Sequence, residues 1–213
     1  MTPVLQLFQQ LLAAGGRIVA SARYAAGVQD YGEPLRQLLG IDASTERQRA
    51  LTATLGLRLQ FEPRRRDDAD FIFFAARPDQ ARQIASQLRF NRALGLPIYS
   101  LAQIYDGRDT ADLNGVRFCD MPWMLDAAGP WAQLRGDFTA AFPKRGKDST
   151  RLQAMGYDAH TLADLLLTGR LSPGTALPAA SGTLELRAGG VIMRGLSCAQ
   201  IAGDTLKRLD ANP

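Results

Sequence analysis

The stretch Asp70-Phe-Ile-Phe-Phe-Ala-Ala76 decides the fold class, because its apolar residues follow one another without alternation. An apolar run of this kind is typical of a strand that is covered on both faces of a sheet. From Pro78 to Ala93 the apolar residues recur at helical spacing, and a second short strand follows at residues 96–100. Strand, helix and strand predict a right-handed βαβ unit, and therefore an α/β protein with a parallel sheet.

The pattern continues outward on both sides of this unit. Upstream, the sequence predicts a helix at residues 3–14, which ends at Gly15-Gly16, and a strand at residues 17–23. Further helices are predicted from Asp30 and from Ser44-Thr45 to residue 55. Downstream, a third strand is predicted to end in Phe118-Cys-Asp-Met-Pro-Trp123.

The last part of the chain has a different pattern. A short helix is predicted at residues 131–141, then a polar, basic loop at 142–148 and a longer helix from residue 149 or 150 to 167. A β-hairpin is predicted at residues 182–194, with its turn at 188–190. Residues 197–209 are predicted to close the chain as a helix.

Composition excludes several classes of protein. With 213 residues, of which 46% are hydrophobic and 22% charged, the chain can bury a core and is too apolar to be disordered. Its net charge of +4 is too small and too spread out to indicate nucleic-acid binding. No apolar run reaches the roughly 20 residues of a membrane-spanning helix, and no signal peptide is recognisable. Taken literally the chain is cytosolic, but its start within a helical pattern also suits a fragment.

Metal and catalytic groups are scarce in the sequence. His160 is the one histidine, so a zinc site with two histidines is impossible, and we expect this side chain on a helix surface rather than in catalysis. For Cys119 and Cys198 we expect unpaired, at least partly buried thiols, with a disulfide as the alternative. No set of residues supplies a nucleophile, a base and an orienting group. We therefore predict no metal, no cofactor and no enzymatic activity.

Aromatic and acidic residues remain at the ends of predicted strands and at crossovers between elements. In open α/β sheets the binding crevice lies outside the carboxyl ends of the strands. The alternative for Tyr99, Trp123 and Tyr157 is that they pack the junction between lobes. The predicted contact residues, for a ligand or a partner, are Tyr24, Tyr99, Tyr105, Asp106, Asp120, Trp123 and Tyr157.

Several of these residues lie in segments that resemble a known family. The family is that of the penicillin-binding protein activator lipoproteins, also called LppC. The resemblance covers nearly the whole chain and is most specific at Leu113-Asn-Gly-Val-Arg-Phe-Cys-Asp-Met-Pro-Trp123. It is also carried by residues 70–82, Leu96-Pro-Ile-Tyr99, Ile104-Tyr-Asp-Gly107 and Arg151-Leu-Gln-Ala-Met-Gly-Tyr-Asp-Ala159.

The resemblance implies a fold, a location and a function. Family members are lipoproteins on the periplasmic face of the outer membrane, and their carboxyl-terminal domain is similar to type I periplasmic solute-binding proteins, with two α/β lobes. They stimulate a class A penicillin-binding protein, a bifunctional peptidoglycan synthase, and are regulators rather than catalysts. The resemblance therefore implies a class A synthase as the partner of this chain.

The chain departs from the family pattern at its start. It lacks helical repeats and a lipidation cysteine there, and we expect it to be truncated on its amino-terminal side, with the first lobe largely missing. Residues 1–122 and 168–213 would form the second lobe, and residues 123–167 would cross into the incomplete first lobe. The helix that carries Met155-Gly-Tyr157 would then expose apolar surface, which could drive homodimer formation.

Two functions from different classes stay open at this point. The first is a protein-contact module that regulates a synthase, and the second is a receptor lobe for a small solute such as an amino acid. Solute receptors of this type hold the charged groups of their ligand with serine, threonine, aspartate and arginine. Because the candidate residues here are mainly tyrosine and tryptophan, the sequence favours the contact module.

Overall fold

The computed structural model describes residues 3–25, 27–57, 60–93, 95–144 and 151–209. By compactness the chain divides into two units, Met1–Val116 and Arg117–Pro213, and each unit is described by itself. The division into lobes given above stays a prediction.

In the described part of the first unit, three α-helices precede a βαβ segment, and short 3-10 turns follow it. The predicted helix at residues 3–14 and the helix after residue 78 are both present. Its elements, in chain order, are α1 (Pro3–Ala13), α2 (Gly32–Leu39), α3 (Ile41–Leu55), β1 (Ile72–Phe74), α4 (Pro78–Phe90) and β2 (Ile98–Ser100). Short 3-10 turns follow at Ala102–Ile104 and Ala111–Leu113.

The βαβ unit forms as the sequence predicts. β1 and β2 pair in parallel, with Ile72 opposite Ile98, and the Ser100 hydroxyl donates a hydrogen bond of 2.7 Å to the carbonyl of Phe74. α4 buries the apolar face that its spacing predicts, namely Ala81, Ile84, Ala85 and Leu88. Two parallel strands joined by a helix confirm the α/β class. The periodicity of the sequence predicted all three elements.

Two predictions for this unit are wrong. One is that both faces of β1 are covered, and the other is that residues 17–23 form a strand. Ile72 and Phe74 are buried, but Phe73 is only half-buried and Phe71, just before the strand, is 42% exposed. Residues 17–23 have no regular secondary structure, and in the described part of the unit they pair with no strand. β1 therefore has a ladder partner on one side only.

In the described part of the second unit, five elements are those that the sequence predicts and four are not. The predicted basic loop at residues 142–148 lies in part outside the described residues, since 145–148 are not described. The elements of the unit are β3 (Val116–Asp120, which straddles the boundary), α5 (Pro122–Leu125), α6 (Pro130–Ala141), α7 (Arg151–Leu167), β4 (Ala176–Ala179), β5 (Gly182–Leu186), β6 (Ile192–Gly195), β7 (Ser197–Ala202) and β8 (Thr205–Leu209).

The strands of this unit form two antiparallel arrangements. β5 lies between β4 and β6, and β7 lies between β3 and β8. The predicted late hairpin is the pair β5 and β6, joined by a 3-10 turn at Ala188–Gly190. β4 extends it to three strands, with Ala179 directly opposite Gly182.

The helix predicted at residues 197–209 is wrong. These residues form the hairpin of β7 and β8, which turns at Gly203, a residue with a φ of 61°. Ala199 and Ile201 are fully buried, whereas the residues that alternate with them, Cys198 and Gln200, are only partly buried. This alternation is the period of a strand with one covered face.

The expectation of unpaired thiols is also wrong. Cys119 in β3 lies directly opposite Cys198 in β7, and the two sulfur atoms form a disulfide. The bridge joins residues that are 79 positions apart in the sequence, so it ties β7 to the beginning of the unit.

Candidate functional site

The seven residues predicted as contacts fall into both units. Tyr24, Tyr99, Tyr105 and Asp106 belong to the first unit, and Asp120, Trp123 and Tyr157 belong to the second. Each group is therefore considered within its own unit.

In the first unit, Tyr24 is engaged by the fold. Its hydroxyl donates a hydrogen bond to the carbonyl of Ala75, and its ring meets Tyr31 edge to face at 5.3 Å between centroids. Partial burial, and then the neighbouring phenol of Tyr31, raise the pKa of Tyr24. The side chain thus ties the segment at residues 17–25 to the backbone just after β1.

The carboxylate of Asp106 also contacts neighbouring groups of the chain. Arg82 lies 3.5 Å from its carboxylate and 2.8 Å from that of Asp79, while the backbone N–H of Arg108 donates to Asp106 at 3.0 Å. Burial lowers the pKa of Arg82, but hydrogen bonds to Asp106 and Asp79 more than offset this, so that the net pKa is raised. Asp106 therefore closes a turn next to α4 and pairs with Arg82.

Tyr99 lies on the face of the sheet opposite the one that carries Ile98. Its ring meets Phe71 edge to face at 5.5 Å between centroids, and the residue is 37% exposed. Phe73 stands beside it in the ladder and contacts Phe8 of α1. Tyr99 is therefore accessible on this aromatic surface, while Tyr105 is half-buried and Asp106 is exposed elsewhere in the unit, and the contact role of these residues stays a prediction.

A cleft of about 450 Å³ lies elsewhere in the first unit, between residues 20–23 and helix α2. It is lined by Ala20, Ser21, Ala22, Arg23, Glu33, Pro34, Gln37 and Leu38. None of the seven candidate residues lines it, so the candidates do not converge on this cavity.

In the second unit, Asp120 ends β3 and is 1% exposed. Its carboxylate accepts hydrogen bonds from Arg151 at 2.9 Å (Nε) and 2.5 Å (Nη2), and from the backbone N–H of Met121 at 2.8 Å. A buried carboxylate is tolerated only when it is paired and hydrogen-bonded in this way. The carboxyl end of β3, where an α/β sheet would hold a ligand, is therefore filled by a guanidinium of the chain itself.

Trp123 follows at the start of α5 and is 1% exposed. It packs against Met121, Ala154 and Ala180, and its backbone N–H donates to the carbonyl of Ala180 at 3.0 Å. Partly buried side chains of α5 and α6, including Trp131, surround this cluster. For Trp123 the geometry favours packing, the alternative weighed against a contact role, because no surface of the indole is available to a partner.

Helix α7 contributes Tyr157 and Asp158. Tyr157 is half-exposed and meets Trp131 edge to face at 6.4 Å between centroids. Asp158 is buried, and its carboxylate accepts hydrogen bonds from the backbone N–H groups of Ala180 at 3.0 Å and Ser181 at 2.6 Å. Sequence reasoning missed the role of Asp158, because its partners lie in a turn more than 20 residues away.

Replacing Asp158 with alanine is expected to lower the free energy of unfolding by about 2 kcal/mol, because it leaves two buried N–H groups without an acceptor. The matched control is Asp164→Ala on the same helix, whose carboxylate pairs with Arg170 at the surface. The control should change stability by no more than about 0.5 kcal/mol. Urea titration of the three proteins measures the difference, and equal stability of both variants would contradict the assignment.

The remaining chemistry searches concern only the part of the chain that the structure describes. There, His, Cys, Asp and Glu side chains form no group of three that could hold a metal ion. None of the helices in the described ranges combines the length and hydropathy that crossing a membrane requires. His160 is exposed on α7.

Comparison with known proteins extends this picture. A family model described as "LppC putative lipoprotein" matches residues 4–203. A protein named penicillin-binding protein activator LpoA from Vibrio antiquarius is 24% identical over 184 residues, which are 84% of this chain and 30% of the relative. A protein of the same name from Vibrio cholerae is 25% identical over 170 residues, covering 78% of this chain and 28% of the relative. The chain thus spans about a third of the length of these curated relatives.

Solved structures share its fold. The structure titled LpoA (YraM) C-domain from Haemophilus influenzae, a regulator of PBP1A, matches 94% of this chain and 64% of its own, with a TM-score of 0.54 and 21% identity. A leucine binding protein from Thermotoga maritima matches 97% of this chain and 55% of its own, with a TM-score of 0.56 and 14% identity. At these identities the likeness shows the fold alone, which is that of the type I periplasmic solute-binding proteins.

Proposed function

The chain belongs to the LppC family of lipoproteins, and from that premise we propose that it is a non-catalytic regulator of peptidoglycan synthesis. It would stimulate a class A penicillin-binding protein by direct protein contact at the periplasmic face of the outer membrane. The observation that carries the proposal is the family match over residues 4–203, together with curated relatives that are named penicillin-binding protein activators.

The geometry of the second unit supports contact rather than catalysis. Asp120 and Asp158, the buried carboxylates among the described residues of this unit, both accept hydrogen bonds from groups of the chain itself. A catalytic or ligand-binding carboxylate would need a free face toward a cavity. These residues therefore stabilise the fold, and the proposed function depends on the surface of the domain.

The disulfide supports the proposed location. Bridges between cysteines form and persist in oxidising compartments such as the bacterial periplasm and are rare in the cytosol. The bond between Cys119 and Cys198 fits a domain that matures after export. Under the same proposal, residues 1–122 and 168–213 form the second lobe of the family domain, and residues 123–167 cross toward the first.

The alternative is an amino-acid receptor lobe. It is favoured by the fold that the chain shares with the leucine binding protein from Thermotoga maritima. Against it stands the occupation of Asp120 by Arg151, since a receptor of this kind needs such polar groups for its ligand.

One experiment separates the two functions. Binding of the purified chain to a purified class A penicillin-binding protein is measured by biolayer interferometry, and thermal unfolding of the chain is followed with each of the twenty amino acids. The proposal predicts saturable binding to the synthase and no change in the unfolding temperature with any amino acid. Stabilisation by one amino acid without synthase binding would support the receptor instead.

A further inference from the structure

The disulfide between Cys119 and Cys198 lies on the face of β3 and β7 that points away from the core. Phe118 and Ala199, which precede and follow the two cysteines in their strands, are also opposite each other and are buried. Because successive side chains alternate between the faces of a strand, the sulfur atoms lie on the other face. In the described part of the chain Cys119 is exposed and Cys198 is half-buried. The bridge is therefore not a part of the core.

Opening the bridge leaves the other contacts of these strands in place. β7 remains paired with β3 on one side and with β8 on the other. Asp120, the residue after Cys119, keeps its hydrogen bonds to Arg151, and Ile201 of β7 keeps its place on the buried face. Because none of these contacts involves a sulfur atom, the bridged chain and the open chain can have the same fold.

Positive charges lie on the same face as the bridge. Arg117 is two positions before Cys119 in β3, and Lys207 in β8 is a diagonal neighbour of Cys198. In β3, β7 and β8, all of which are fully described, the one carboxylate is that of Asp120, which lies on the opposite face. The face that carries the bridge, called the bridge face below, consists of Arg117, Cys119, Cys198, Gln200, Lys207 and Leu209.

These surroundings favour thiol–disulfide exchange. A disulfide opens when a thiolate attacks one sulfur atom and the other sulfur leaves as a thiolate. Lysine and arginine near a cysteine stabilise the thiolate form, so the cations of the bridge face favour both the attacking group and the leaving group. Exposed disulfides are also more easily reduced than buried structural ones.

We propose that the bridge between Cys119 and Cys198 is a redox switch, which a dithiol protein of the thioredoxin class opens while the chain stays folded. A thiolate of the reductant attacks the exposed sulfur of Cys119, and Cys198 leaves as a thiolate that takes a proton from water. The second thiol of the reductant then displaces Cys119, and the reductant becomes a disulfide. The chain gains two electrons and two protons. Its redox state then sets its resistance to unfolding, without any contact with the synthase.

The dependence of the reduction rate on urea tests the proposal. The full chain is incubated with dithiothreitol at urea concentrations below the unfolding transition, and its thiols are alkylated and counted by mass spectrometry. Opening in the folded state predicts a rate that changes by less than about twofold per molar urea, and a reduced chain that keeps its far-UV circular dichroism. A rate that rises about tenfold or more per molar, as global unfolding requires, or loss of the circular dichroism signal, would overturn the proposal.

Charge reversal tests the role of the bridge face. Lys207→Glu should slow reduction by dithiothreitol at least about threefold at low ionic strength, because the attacking thiolate is an anion. The matched control is Arg194→Glu on β6, an exposed residue outside the bridge face, for which the rate should change by less than about 1.5-fold. Circular dichroism shows whether both variants are folded. Equal rates for the two variants would contradict the proposed role of the cations.

A trapping experiment identifies the sulfur atom that is attacked. Thioredoxin whose second active-site cysteine is replaced by serine cannot complete the exchange, so it should stay attached to the chain as a mixed disulfide. Peptide mass spectrometry should find this bond at Cys119. Attachment mainly at Cys198, or no adduct with folded chain, would contradict the proposed sequence of steps.

Discussion

Replacing Asp120 with alanine is expected to lower the free energy of unfolding by about 3 kcal/mol. The carboxylate is fully buried and bound by Arg151 and by the N–H of Met121, so its loss leaves an arginine and an amide without their acceptor. The same change releases the first turn of α7 from the end of β3. The effect is measured by urea unfolding, followed by circular dichroism.

Three further variants make this test specific. Asp137→Ala on α6 removes one exposed carboxylate and should change stability by no more than about 0.5 kcal/mol. Arg151→Met should cost nearly as much as Asp120→Ala, and the double variant should cost clearly less than the sum of the two. Additive single effects would mean that the two side chains do not act as a pair.

Removal of the disulfide is expected to lower the free energy of unfolding at least as much as Asp120→Ala. Replacing both Cys119 and Cys198 with serine should lower the free energy of unfolding by about 4 kcal/mol, because the bridge closes a long loop and restricts the unfolded chain. The strands β3 and β7 remain paired in the variant, so the fold is retained in the absence of denaturant. The shift of the urea midpoint gives the magnitude.

A reductant supplies the internal control for this prediction. Dithiothreitol should lower the midpoint of the native chain toward that of the double-serine variant and should leave the variant unchanged. Titration of thiols in the unfolded, unreduced chain should find none in the bridge. Two reactive thiols in freshly purified protein, with a urea midpoint that does not change when reductant is added, would argue against the bond.

Local patterns explain which parts of the fold were predictable from the sequence. The helical spacing of Ala81, Ile84 and Leu88 and the apolar run around Ile72 fix α4 and β1, because both signals lie within a few residues. The strands β7 and β8 were missed because short apolar runs fit either period. That error hid the disulfide as well, since only a strand at residues 197–202 places Cys198 opposite Cys119.

The positions of Asp120 and Trp123 in the fold were predictable from the sequence, but their contacts were not. Asp120 and Trp123 do lie where β3 ends, as their place in the sequence indicates. Their partners, Arg151 and the turn at Ala180, are distant in the sequence, and no sequence pattern indicates that these groups contact the end of β3. Asp120 and Trp123 are thus buried and have structural roles, although the sequence alone allowed a contact role as well.

The rate of glycan polymerisation tests the central claim most directly. Lipid-linked precursor is incubated with a purified class A penicillin-binding protein and increasing amounts of the chain, and the initial rate is recorded. The account predicts a saturable rise in the rate with the chain and no turnover by the chain alone. A rate that stays unchanged up to concentrations that saturate binding, or product formed by the chain without the synthase, would contradict it.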